Sequence, residues 1–438
     1  MTDRPHVVYL HSHDTGRYVQ PYGYPVITPA YQRLAEDGIV FRQAFSAAPT
    51  CSPSRAALLT GQSPHAAGLL GLVHRGFRLY DPRQHLATTL RDHGYQTVLA
   101  GTQHTWAGPA SEQGYLHHCT PAGGSSADYA DAAIAVLNQY RRGDAPLFLD
   151  IGFNDTHRVY PEVDAADTRY VRAPALFPDT AETRRDWARH LASLHRLDRA
   201  VGRVLDALDA TGMAENTIVI CTTDHGLAWP GMKCTLTDHG LGVLLIVRGP
   251  GALSGGWVSD ALVSQIDLYP TLCDLLAIER PAWLTGRSLM PIVRREADSV
   301  NDAVFGEVTY HAAYEPQRAI RTERWALIER FDSRDRPVLP NIDAGETRDL
   351  LLSRGLAERD VAPLELFDTF FDPMQLCNLA NDPACVEVRH DLRRRLHAWM
   401  SDTDDPLLRG PVPMPQGSVA NPVDGQSADE MPLPASIG

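Results

Sequence analysis

The chain predicts an α/β protein: a large, mostly parallel sheet between helices, followed by a smaller antiparallel sheet with one helix. Three observations carry that prediction. Short apolar runs at 6–11, 146–153 and 217–223 each stop abruptly on polar residues, as strands buried on both faces do. A stretch from about Glu182 to Leu208 carries Leu194, Leu197, Val201, Val204 and Leu208 at spacings of three and four, one apolar helical face. From about Asp302 the alternation changes: 303–308, 318–321 and 324–328 read as antiparallel strands, with a helix near 386–400. The expected division is 1–300, 301–410 and a tail over 411–438. The tail is rich in Pro, Ser and Gly and is expected to be disordered or draped on a neighbour.

At 438 residues the chain is long enough for a large core and a second, smaller domain. A formal charge of −14 argues against nucleic acid as a partner, which needs a basic stripe, but leaves room for a small anionic substrate. The first residues, Met1 to Pro5, hold no apolar signal core, and no stretch is long enough to span a bilayer. A cytoplasmic protein with no membrane partner is expected; a homo-oligomer is left open. Seven scattered cysteines without paired spacing argue against structural disulfides. Cys221 and Cys273 read as core thiols, while Cys377 and Cys385 are near enough in sequence to approach each other.

In chain order, the first strand delivers Ser12-His13-Asp14-Thr15-Gly16 at its carboxyl end, where open α/β sheets bind ligands. A helix from Thr28 to Asp37 and a strand over 39–45 lead to Thr50-Cys51-Ser52-Pro53-Ser54-Arg55. Pro53 suits a first helical position, Ser52 a cap and Gly61 a stop. Cys51 then sits at a helix N-terminus with Arg55 one turn in. A sulfur, or its oxidised derivative, held beside positive charge is a site for chemistry on an anionic group. The Gly- and His-rich segment 64–77 is expected to loop near it. A helix over 86–93 and a strand over 96–101 end on Thr102-Gln103-His104; a helix over 127–140 precedes the strand that ends on Asn154-Asp155-Thr156-His157-Arg158. Asp224-His225-Gly226 follow the strand 217–223 at once, so one sheet edge can unite Asp14 with Asp224. Lys233, Asp238 and His239 come next and are expected near the pocket. A strand over 243–247 and a helix within "VSQIDLYPTLCDLLAI" complete the larger unit.

The run "APTCSPSRAALLTGQSPHAAGLLG" resembles the signature of the sulfatases, Cys-x-Pro-Ser-Arg followed by Leu-Thr-Gly, and "TPAYQRLAEDGIVFRQAF" is similar to the same family. The resemblance spans roughly residues 5–405 and is strongest toward the sulfamidase-like branch. It implies an alkaline phosphatase-like fold and a Cys51 converted to formylglycine by a formylglycine-generating enzyme. It further implies a divalent metal held by Asp14, His13, residue 51, Asp224 and His225. Calcium comes first, with manganese or zinc favoured if both histidines ligate. The family has Asp-Asp where this chain has His13-Asp14. Catalytic roles carry over to Cys51, Arg55, His104 beside the nucleophile, and His157 and Lys233 on the sulfate. Asp155 and Arg158, in an Asp-x-His-Arg that is similar to the sulfamidase branch, are carried over as substrate-binding. Thr102 stands where many sulfatases have a second sulfate-binding Lys. "YHAAYEPQR" over 310–318 resembles a pocket-facing sulfamidase segment, which makes a sulfated sugar the expected substrate.

The implied reaction is attack by the hydrated aldehyde on sulfur, with the metal as Lewis acid and His157 as candidate acid. The second hydroxyl then loses its proton, with His104 as candidate acceptor, and sulfate is released. Two other readings stand beside sulfate ester or sulfamate hydrolysis. One is a phosphonate monoester or phosphodiester hydrolase on the same fold; the other is a non-catalytic binding protein, favoured by Thr102 and His13.

Overall fold

The computed structural model describes residues 4–121, 123–141 and 143–435. The first residues, Met1 to Asp3, on which the expectation of no signal segment partly rests, and the last three of the tail lie outside the described residues.

An eight-stranded sheet organises the larger part of the chain. Its strands are β1 (His6–Ser12), β2 (Ile39–Phe45), β3 (Gln96–Gly101), β4 (His117–Cys119), β5 (Leu147–Gly152), β6 (Thr217–Thr223), β7 (Leu245–Arg248) and β8 (Trp257–Ser264). Their order is β4-β3-β5-β1-β6-β7-β2-β8. Every pairing is parallel except those of β7, so the sheet is mixed but mostly parallel, as expected. All seven residues of β1 are buried, because it is central and covered on both faces. The strand period of two sends Val8 and Leu10 into one core and Val7 and Tyr9 into the other. The first core packs the sheet on the long helix Ala181–Ala210 through Leu194, Leu197 and Val201. Thr180 opens that helix, its hydroxyl accepting from the Thr183 N–H. The second core packs the other face on Leu58, Leu268 and Leu272.

A separate antiparallel sheet follows, ordered β12-β11-β10-β9. It is formed by β9 (Val304–Tyr310), β10 (Tyr314–Arg321), β11 (Trp325–Arg330) and β12 (Leu364–Asp368), with the helix Val386–Asp402 against it. The same apolar cluster includes Leu69, Leu70 and Phe77, so the second sheet presses on the loops that follow the Cys51 helix.

The tail departs from expectation. Val419–Ala420 pair with Leu433–Pro434, Asn421 bridges to Ala313, and Arg75 donates to the Asn421 Oδ1 at 2.8 Å. The described part of the tail is therefore fastened across the protein itself by backbone and arginine hydrogen bonds. All seven cysteines are free, Cys377 and Cys385 included, and Cys221 and Cys273 are buried. No helix among the described residues is long and apolar enough to cross a membrane.

Candidate active site

The site lies at the carboxyl ends of β1 and β6, which run side by side with Ser12 opposite Thr223. That register delivers Asp14 and Asp224 to one point although 210 residues separate them. The Asp14 N–H donates to the Asp224 Oδ1 at 2.9 Å, and the backbone at Asp14 is left-handed, φ 53°. A non-glycine residue in that region is strained, and such strain concentrates at functional sites.

Cys51 is the first residue of a ten-residue helix, Cys51–Thr60, every residue of which is buried. The helix begins two residues earlier than Pro53 suggested, after an extended Thr50, and Ser52 is not its cap. The Ser52 hydroxyl accepts instead from the Val73 N–H at 3.2 Å. Gly61, left-handed at φ 68°, ends the helix as expected, its N–H donating to the Ala57 carbonyl.

Arg55 lies beneath the cluster. Its Nη2 donates to the Ser12 carbonyl at 2.7 Å and to the Asp224 Oδ2 at 3.0 Å. Its Nη1 donates to the His11 Nδ1. That fixes the His11 proton on Nε2, which donates to the Asp150 Oδ1 at 2.8 Å, while the Tyr115 hydroxyl donates to the other Asp150 oxygen. A fully buried guanidinium is thus compensated by one contact to Asp224 and a relay to a second carboxylate. Burial alone would raise the Asp224 pKa; His225, Arg55 and His13 outweigh it and hold the group well below the usual carboxylate range.

The metal-ligand candidates converge. Donor atoms of His13, Asp14, Cys51 and Asp224 all lie within 4.8 Å of one another. The His225 Nδ1–H donates to the Gly226 carbonyl at 2.9 Å, which turns Nε2 toward the cluster. That atom faces the Asp14 Oδ1 at 3.2 Å and the Cys51 Sγ at 3.3 Å. The Asp14 Oδ1 and the His13 Nδ1 are buried without a hydrogen bond, the latter standing 3.2 Å from the Asp224 Oδ2. Electron-rich atoms turned toward each other in a dry pocket are costly unless a cation lies between them. These residues therefore fit a divalent ion, and His13 stands among them. Burial, with Arg55, pushes the His13 pKa well down, leaving a neutral imidazole with a lone pair to give.

The Lys233 ammonium lies between the Asp14 Oδ2 at 3.2 Å and the Asp343 Oδ2 at 3.1 Å. Against burial, these two carboxylates raise its pKa, and Lys233 in turn holds Asp343 below the usual carboxylate range. Burial pushes the Cys51 thiol well up, against the pull of Lys233. His157 is partly exposed; its Nδ1–H donates to the Arg158 carbonyl and its Nε2 stands 3.9 Å from the Asp14 Oδ2. His104, left-handed at φ 57°, shares a second donor group with Cys51 and His13, and its Nε2 is 3.4 Å from the His74 Nδ1. Burial and Arg55 lower the His104 pKa to about 3, so it is neutral near neutral pH.

Four expected pocket residues are engaged within the protein. The Arg158 guanidinium forms two 2.8 Å bonds to Asp186 and a third to the Ala228 carbonyl, so its donors are spent on the protein. Both Asp155 carboxylate oxygens accept from hydroxyls, Ser126 at 2.6 Å and Ser193 at 2.5 Å. These two residues brace the loop that carries His157, and both line the cleft beside it. Asp238 pairs with Arg321 and His239 meets the Met374 carbonyl, which tethers the second sheet. The Thr102 hydroxyl donates to the Asn154 Oδ1 at 2.9 Å.

Several site residues carried no motif. Asp343 comes from the second sheet's side of the chain, as does His311, which lies in the segment 310–318 that the resemblance marked as pocket-facing; His311 is buried, its pKa pushed well down by burial and by the charge of Lys233. His74 lies in the expected Gly- and His-rich loop. His11 and Asp150 left a readable signal: a titratable residue inside each of two apolar strand runs, where a buried charge requires a partner.

Fold and site together define a hydrolase of anionic esters at the carboxyl edge of an α/β sheet. Comparison with known proteins narrows the class. Residues 5–278 match the sulfatase family profile, and residues 232–345 match the N-sulphoglucosamine sulphohydrolase C-terminal profile. Human N-sulphoglucosamine sulphohydrolase is 29% identical, covering 88% of both chains. A ulvan-active sulfatase of Formosa agariphila is 26% identical over 92% of this chain and 76% of its own. Among solved structures, one in complex with its substrate D-glucosamine-2-N,6-O-disulfate superposes with a TM-score of 0.74 at 19% identity, covering 93% of this chain and 99% of that one; this is a likeness of fold. The chain belongs to the sulfatase family, the hydrolases of sulfuric esters, and lies on its sulfamidase-like side.

Proposed function

We propose that the protein hydrolyses sulfate esters or sulfamates of sulfated sugars, using formylglycine derived from Cys51 and one divalent metal. The observation that carries this reading is the convergence of donor atoms of His13, Asp14, Cys51 and Asp224 within 4.8 Å of one another, with the buried Asp14 Oδ1 left without a hydrogen bond. Asp14, Asp224, His225 and His13 would hold the metal, calcium being the first candidate and manganese and zinc the ones to test against it. When bound, the ion supplies Lewis-acid stabilisation of an anionic oxygen. The formylglycine supplies a nucleophilic hydroxyl and a second hydroxyl through which sulfate can be released. Arg55 holds Asp224 and the head of the Cys51 helix in place. Lys233 and the His157 Nε2 face the position of the anion, and His157 is the candidate acid for the leaving group. His104 is the candidate acceptor for the proton of the second hydroxyl, by its place beside Cys51 and His13; burial and Arg55 make it a weak base in the free protein. The names and substrates of the relatives support a sulfated sugar. Maturation by a formylglycine-generating enzyme and a cytoplasmic location belong to the same proposal.

A phosphodiester or phosphonate hydrolase on the same fold is the second reading, and Thr102 in place of a cationic residue is compatible with it. A pocket with fewer cations suits a monoanion, which both a sulfate monoester and a phosphodiester are, better than a phosphate monoester dianion. The test is turnover of three matched aryl esters together with the mass of the Cys51 peptide. The expected mass loss is about 18 Da, the change from CH2SH to an aldehyde. Fully active protein with an unmodified thiol would overturn the formylglycine assignment; faster turnover of the phosphodiester would favour the second reading.

A further inference from the structure

Beside the catalytic cluster opens a cleft of about 990 Å³, lined at one end by His13, His104 and His157 and along one wall by Arg196, Arg199 and Arg203. The three arginines stand at spacings of three and four on the long helix Ala181–Ala210, so they share one face. Their distance from the chemistry follows from that helix. Ser193 touches Asp155, whose carbonyl accepts from the His13 N–H, and Arg196 comes one turn later. At 1.5 Å per residue the stripe runs on for about 10 Å.

The arginines differ in their partners. Arg203 reaches across to Asp131 and to the Ala127 carbonyl on the helix Ser126–Gln139, closing the far end of the cleft. Arg196 and Arg199 are exposed and make no ion pair or side-chain hydrogen bond among the described residues. The carboxylate that lines the cleft, Asp155, is already saturated by Ser126 and Ser193. Asp198, next in sequence to Arg199, faces away and accepts from the Ala30 and Tyr31 N–H groups. Two like charges three residues apart on a helix repel each other. In a chain whose formal charge is −14, two cations without an ion-pair partner among the described residues form a local reversal of sign in the cleft beside the active centre, Arg199 acting on Asp198 at longer range.

We propose that Arg196 and Arg199 form a second anion subsite. It would bind a carboxylate or sulfate on the sugar unit next to the one whose sulfate is attacked at Cys51. This rests on the hydrolase reading above and deepens it: the preferred substrate is an oligosaccharide with charges on neighbouring units. A planar guanidinium suits either anion, since both offer two oxygens to its fork.

The test uses full-length Cys51→Ala protein, which cannot turn over, and calorimetric binding of three probes. These are N-sulfated glucosamine, the same sugar linked to a uronate, and the same sugar linked to a second, O-sulfated unit. The expected result is that at least one disaccharide binds about tenfold or more tighter than the monosaccharide. Arg196→Gln/Arg199→Gln in the same background should abolish that difference and leave the monosaccharide Kd in place. Which disaccharide gains decides between carboxylate and sulfate. Equal binding of all three probes, or a loss shared equally by all three on substitution, overturns the subsite. The subsite also fails if no sugar binds; wild-type turnover of an aryl sulfate would then show that the hydrolase reading survives without it. Both positions are exposed on a long helix and glutamine is a good helix former, so the double variant should fold.

Discussion

Two buried clusters in this protein draw on the same side-chain types and end in opposite states. At the ends of β1 and β6 are Asp14, Asp224, His225, His13 and Arg55. Under the second sheet are His65, Glu307, Asp405 and Arg318, of which the first three also satisfy the geometry of a metal site. In the second cluster nothing is left over. Arg318 grips Asp405 at 2.5 and 3.0 Å and spends its Nη1 on the Val308 and Gln317 carbonyls. His65 is bound to Glu307 through both its ring and its N–H, and Leu407 donates to Asp405. Burial would lower the His65 pKa, but Glu307 and Asp405 raise it, so two cations meet two carboxylates. In the first cluster Asp14 Oδ1 and His13 Nδ1 make no hydrogen bond, and they face His225 Nε2 and Asp224 Oδ2 respectively, each at 3.2 Å. Composition alone does not distinguish a metal site from a structural latch; the unspent lone pairs do.

The largest effects should come from removing the unspent groups. Asp14→Ala and Asp224→Ala should each lower turnover by about 10³ or more and abolish stoichiometric metal, as read by elemental analysis. Asp224→Asn serves beside Asp224→Ala, because the alanine also removes a partner of Arg55. Chelation of the wild type should remove activity reversibly, and reloading should restore one ion per chain. Two ions per chain would mean that the His65 cluster also binds metal and would break the comparison.

The latch should fail differently. Asp405→Ala leaves the buried Arg318 guanidinium without its carboxylate partner, which should cost about 3–5 kcal/mol of stability. Urea unfolding would measure that loss. kcat/KM of the protein that remains folded should stay near the wild-type value, since Asp405 touches none of the catalytic groups. A variant that unfolds normally but loses turnover would place the His65 cluster in the chemistry.

The two clusters were not equally legible in the sequence. Asp14, Asp224 and His225 could be placed because each follows at once on an apolar strand run, and adjacent strand ends meet. Cys51 and Arg55 came from their motif, although the helix start was set two residues late. Asp343, which pairs with Lys233, had no signal, because that contact exists only after the second sheet folds back on the first. Arg158 misled for a related reason. Its position beside His157 suggested a ligand, whereas its partner Asp186 lies 28 residues on, in a helix read for its apolar face alone. The His65 cluster went unread because its four members come from four separate segments.

His190 sharpens the comparison from a third side. Both of its ring nitrogens are buried without a hydrogen-bond partner, yet it belongs to no converging group of ligand atoms among the described residues: it stacks on Trp187 at 4.8 Å and meets the edge of Tyr160. An unspent lone pair therefore marks a metal site only where carboxylates converge on it. Burial, with Arg158, lowers the His190 pKa to about 3, so the folded protein resists protonating it. The unfolded chain takes up that proton near pH 6.5, and stability falls as pH drops below that value and stops falling near pH 3. Between pH 7 and pH 5 this one residue should account for about 2 kcal/mol of lost stability. His190→Phe keeps the stacking with Trp187 and removes the titration. Unfolding free energies at the two pH values should differ less in His190→Phe than in the wild type by that amount. An unchanged difference would mean that His190 is solvated or paired in solution, and that a lone pair without carboxylates is not tolerated in this core.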